Sequence, residues 1–229
     1  MTKQTLSTRA LLACGAIAGP MYVAVTLIQA LTRDGFDLTQ HRFTLLTAGE
    51  LGWIHQLNMV LVGALTVLFA VGVSRMLAGK GRGAVWAPRL IGLLGLAYFA
   101  GGLLSADPVA GFPVGTTPEL VQTTLQGRVQ NATRGISTVF LFASSFAIAT
   151  WFASQGRRGS AWFFATAIPL VFLALTGVGF ILGGNRVGLA FLTTPWIWVT
   201  LLAAQLYRLE PETLEVDCKP GPVPPHLAV

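Results

Sequence analysis

The sequence predicts an all-α protein: a six-helix transmembrane bundle, both termini cytoplasmic, with two ordered extracytoplasmic loops. Three observations predict it. First, the 229-residue chain is 53% hydrophobic and 10% charged, with a mean hydropathy of +0.66. Soluble domains carry about 25% charged residues, so this much apolar surface has the bilayer as its natural solvent. Second, six stretches stay apolar for close to the roughly 20 residues that a spanning helix requires. Third, lysine and arginine divide ten to five between the two sides of those stretches, with the majority on the side of the N-terminus.

The spans run approximately over 11–31, 54–77, 88–105, 132–153, 160–182 and 188–206. The first follows Lys3 and Arg9 and is longer than the 7–15-residue apolar core of a signal peptide, so it reads as an uncleaved anchor. The connections "GKGRG" and "SQGRRGS" are short and basic, as cytoplasmic loops are. The other two long connections, roughly 32–53 and 106–131, exceed the usual loop length and carry apolar residues such as Phe43, Leu45 and Phe112. They read as ordered caps over the bundle mouth. Residues 1–206 form one transmembrane domain. The proline-rich segment 207–229 reads as a disordered cytoplasmic tail. These features predict a multi-pass protein of the plasma (inner) membrane.

Several function classes are set aside by composition. The net charge of +6 belongs to span ends, and no basic face with interleaved aromatics lies outside the apolar runs, so no nucleic acid partner is expected. Cys14 and Cys218 make neither a disulfide framework nor a metal spacing. His41 and His55 are too far apart for an HExxH-type pair, and no histidine lies deep enough for haem between helices. No metal and no cofactor are expected.

Polar chemistry gathers instead at the outer ends of the helices. The stretch "DLTQHRFTLLTAGELGWIHQLN" (37–58) holds two of the three histidines and two acidic residues in an otherwise apolar chain. Asp37, His41, Glu50, His55 and Asp107 are the acid–base candidates, because imidazole–carboxylate and carboxylate–arginine pairs are what proton transfer uses. Trp53, Asn58, Gln130 and Arg134 are the substrate-binding candidates. His55 and Asn58, like Gln130 and Arg134, share a helix face. No acidic residue, lysine or histidine lies near mid-depth of a span, where carriers of polar solutes keep such groups. Pro169, Gly177, Gly179, Gly183 and Gly184 bend or thin the fifth helix, or serve as packing positions.

The segment "DLTQHRFTLLTAGELGWIHQLNMVLVGAL" resembles the first outer loop and second helix of the domain of unknown function 998 family of polytopic bacterial membrane proteins. The resemblance rests on Asp37, His41, Thr44-Leu45, Gly52-Trp53 and Asn58. The later "ADPVAGFPVGT" resembles the family's Asp-Pro segment, with Asp107 and Pro108. It covers roughly 11–206. Gln130 stands where the family often has a histidine at the start of the fourth helix. The resemblance implies a six-helix membrane protein with its distinctive residues in the outer loops, and it implies no activity.

Three function classes follow. The first is a membrane-embedded acid–base enzyme (isomerase, cyclase or hydrolase type) acting on a lipophilic substrate. The second is a non-enzymatic protein holding a lipid, a lipophilic small molecule or a partner membrane protein. The third is a small exporter or carrier. An enzyme requires a closed pocket with a carboxylate or imidazole at its floor. A binding or accessory protein requires an exposed apolar groove between helices and no such floor. A carrier requires a polar path at mid-depth, by the glycine-rich fifth helix.

Overall fold

The computed structural model describes residues 7–78, 81–109, 111–182 and 186–217. Lipid offers backbone groups no partner, so each apolar run closes its hydrogen bonds within a helix. Six helices are long and apolar enough to span a membrane: α1 (Thr8–Thr32), α2 (Gly52–Leu77), α3 (Arg82–Gly102), α4 (Leu125–Ser154), α5 (158–182) and α6 (Arg186–Asp217). The chain is a multi-pass membrane protein. α5 consists of three consecutive pieces, Arg158–Trp162, a π-helical turn Phe163–Ala167, and Ile168–Leu182. The described residues hold no strand, only an isolated bridge between Val109 and Phe112.

Helix ends differ from the apolar windows for physical reasons. α4 begins at Leu125 rather than 132, because Thr124 caps it: its hydroxyl oxygen accepts from the Gly127 amide at 3.1 Å. The polar turns at 125–131 are therefore helical although they are not apolar. α3 begins at Arg82 rather than 88, with Arg89 lying over the Trp86 ring at 5.6 Å. Long basic side chains of this kind lay apolar stems on the helix and keep their charged heads outside the hydrocarbon. α6 continues to Asp217, so residues 207–217 of the expected tail extend the last helix. Residues 218–229 of that tail, and Gly183 and Gly184, lie outside the described residues.

The helices form a ring. α2 packs against α1 and α3, α3 against α4, α1 against α6, and α5 against α6 and the C-terminal part of α4. Phe152 of α4 and Phe164 of α5 stack at 5.5 Å to close it. α2 and α3 meet backbone to backbone. A methyl group on Gly63 would lie 2.7 Å from the Gly95 carbonyl oxygen, and one on Gly95 would lie 2.8 Å from that of Gly63. Between helices in lipid, where solvophobic force is absent, such close approach supplies much of the attraction. α5 is the outlying member: 22% of its most apolar window is buried, against 56% for α6. Gly177 has nothing within 4 Å of where a side chain would stand. The two long loops, 33–51 and 103–124, lie at one end of the ring, here termed the long-loop end.

Candidate functional site

At the long-loop end the chain uses much of its polar inventory to fasten its own loops. Arg33, just past α1, donates from Nη1 to the Leu46 carbonyl and from Nη2 to the Ala48 carbonyl, both at 2.7 Å. Its guanidinium also lies over the Phe112 ring at 4.9 Å, and burial pulls its pKa below the usual arginine value. These bonds hold the buried 3₁₀ turn Phe43–Thr47 against the bundle. Thr47 Oγ1 then accepts from the Ala106 amide at 2.8 Å and from Gln130 Nε2 at 2.9 Å, while donating to the Thr44 carbonyl. One hydroxyl thus ties the first loop, the second loop and α4 together.

The sequence-predicted acid–base residues are dispersed among such local duties. The Asp37 carboxylate accepts from the Thr39 amide and hydroxyl and from Gln40 Nε2. The Thr39 hydroxyl above all holds its carboxyl below the usual carboxylate range. His41 Nδ1 accepts from the Asp37 amide at 2.9 Å, and its ring packs against Phe36 and Phe112. Glu50 is exposed. The Asp107 carboxylate accepts from the Thr124 amide at 2.9 Å and hydroxyl at 2.5 Å, which sets a negative charge at the positive start of α4. His55 is fully buried beside the Tyr22 ring, and neither ring nitrogen has a hydrogen-bond partner among the described residues.

The predicted binding residues divide as well. Trp53 is 58% exposed at the start of α2, as an interfacial tryptophan is. Asn58 is buried and donates across to α1, to the Tyr22 carbonyl at 3.2 Å and Thr26 Oγ1 at 3.4 Å. Gln130 and Arg134 do converge, on the wall of a cavity inside the ring.

That cavity is partly open, and about 30 Å³ of it admits the centre of a water molecule. Thr44, Gln130, Thr133, Arg134 and Ser137 supply polar atoms to its lining, and Met59, Ala97, Phe191 and Leu192 supply apolar walls. Tyr22 and Tyr98 line it too, and both pack against the Trp196 ring at 4.7 Å. Gln130 Nε2 is held by Thr47 and by the Leu104 carbonyl, whereas its Oε1 is buried without a hydrogen-bond partner among the described residues. The Arg134 guanidinium lies over the Phe191 ring at 4.8 Å. Among the described residues it has no carboxylate within ion-pair distance. Among the described residues, no aspartate, glutamate or histidine lines the cavity, and none form a cluster of three metal-ligating side chains.

Sequence reasoning missed Tyr22, Tyr98, Thr133 and Ser137. A signal for two of them was present. Gln130, Thr133, Arg134 and Ser137 stand at the i, i+3, i+4, i+7 spacing that puts polar groups on one helix face. The tyrosines carry no comparable signal, because α1 and α3 are apolar on several faces.

The sequence model of the family described as "Protein of unknown function (DUF998)" matches residues 16–205. No curated protein and no solved structure matches the chain.

Proposed function

The chain belongs to the DUF998 family, and from that premise we propose that it is a non-enzymatic membrane protein that holds a lipophilic molecule in the cavity between α4, α6 and the first loop. One observation carries this reading. The cavity combines apolar walls with convergent polar groups, as ligand sites do, and its lining among the described residues lacks any carboxylate or imidazole. Acid–base turnover near neutral pH is carried most often by an imidazole or carboxylate within reach of the ligand, whereas the tyrosines in this lining belong to a residue type that ordinarily titrates near 10. Asp37 and Asp107 have their carboxylate oxygens committed to loop and helix caps, which favours holding over turnover. The carrier reading draws no support from α5, whose Gly177 packs on nothing. Lysine and arginine predominate on the N-terminal side, which favours the plasma membrane with the long-loop end extracytoplasmic.

The test is native mass spectrometry of protein extracted with its surrounding lipid. The wild type should retain one lipophilic molecule per chain after mild delipidation. Ser137→Leu, which pushes an apolar group into the cavity, should release it while the melting temperature stays within a few degrees. A wild type that retains nothing, or a Ser137→Leu variant that retains the same molecule, would remove the cavity from consideration.

A further inference from the structure

Resting on that reading, we propose that the molecule held is an anionic amphiphile, with its acidic headgroup on Arg134 and its apolar body against Met59, Phe191 and Leu192. The first ground is charge. Among the described residues Arg134 is the one charged side chain lining the cavity, and it sits about 14 Å along α4 from Leu125 at the rise of an α-helix. Ionisable groups at such positions in membrane helices are costly and are ordinarily paired or used. Arg134 has five N–H donors. A ring face such as that of Phe191 answers its charge in part and offers no acceptor in the plane of those donors.

The second ground is a neighbouring cation. Arg42 precedes the lining residue Thr44 by two positions, and its Nη1 reaches Asn131 Oδ1 on α4 in a long contact of 3.5 Å. Asn131 stands one helical turn before Arg134 on the same helix. A second guanidinium is thus set near Arg134, beside a cavity with no acidic lining residue among the described residues. The mutual repulsion of the two groups turns into joint attraction when an anion lies between them. Planar, forked donors of this kind suit carboxylate and phosphate oxygens.

The experiment uses delipidated full-length protein and three probes of equal chain length: dodecyl phosphate, lauric acid and the neutral dodecanol. Binding is read by native mass spectrometry and by the shift in melting temperature. At least one anion should bind one per chain, at least tenfold more tightly than dodecanol, and the stronger anion tells phosphate from carboxylate. Arg134→Gln should abolish that preference. Arg42→Gln, on an exposed loop position, should reduce it several-fold and serves if the first variant fails to fold. Should dodecanol bind as tightly as both anions, with neither substitution mattering, the headgroup assignment is overturned and the holding function survives. Should none of the three bind in competition with the native molecule, the holding function itself falls.

Discussion

Arg33 and Arg134 stand at the same end of the bundle, and the protein uses them in opposite ways. Around Arg33 both terminal nitrogens reach backbone carbonyls, the guanidinium covers an aromatic ring, and the first loop is fixed as a result. Around Arg134 the ring contact is present, but among the described residues no carboxylate completes the site. The same side chain is a structural rivet in one region and an unanswered charge in the other. The difference teaches that a polar residue near a membrane surface is informative only through what remains of its bonding capacity after the fold has used its share.

The largest expected effect breaks this comparison at the rivet. Arg33→Ala removes two hydrogen bonds from a charged donor, each worth about 1.5–3 kcal/mol, and leaves two carbonyls of a buried turn unsatisfied. The melting temperature in lipid should fall by more than for any other single change considered, with the first loop becoming protease-sensitive. Arg134→Met should leave the melting temperature of ligand-free protein unchanged or raised, because removing an unpaired partly buried charge lifts a desolvation cost. Equal destabilisation by the two substitutions would show that Arg134 too is structural.

A smaller effect sharpens the boundary between the regions. Thr47 belongs to the rivet, yet its hydroxyl holds Gln130, which belongs to the cavity. Thr47→Val keeps shape and removes the acceptor used by the Ala106 amide and Gln130 Nε2. The expected cost is about 2 kcal/mol, together with weaker retention of the native ligand, read in one melting and mass-spectrometry series. Lost stability with ligand retention intact would mean that the two regions are independent.

Much of the architecture was legible because the bilayer leaves few alternatives. An apolar run of spanning length becomes a helix, and so six helices long and apolar enough to cross a membrane are present, as expected. What hydropathy could not see were the polar helical turns, such as 125–131 above α4, where Thr124 and Asp107 decide the start. At the site, Gln130 and Arg134 were legible as polar residues sharing a helix face. Their convergence with Tyr22 and Tyr98 was not, because the face of α1 or α3 that points inward is chosen by the ring packing. His41 and Asp107 share the expected end of the bundle but answer to different partners, a backbone amide and a helix cap. Sequence gives polarity and level in the membrane. It does not give the remaining bonding capacity, which is a tertiary quantity.

The smallest expected effect tests that same capacity at Asp37, the far side of the loop that Arg33 holds. Its carboxylate is well supplied with local donors, chiefly the Thr39 hydroxyl, so its pKa in the folded loop lies below the unfolded value near 3.9. A depressed carboxylate pKa stabilises at pH above the unfolded value, and the contribution is lost as pH falls through the folded value. Amide exchange at Thr39 should therefore be flat from neutral pH to about 5, after correction for intrinsic rates, and should accelerate only below about 4. Asp37→Asn retains the oxygen that accepts from Thr39 and should be flat throughout. Because the carboxylate is exposed, global melting should scarcely move in either case. An acceleration that begins well above pH 5 would show instead that the turn is not controlled by the Asp37 carboxylate.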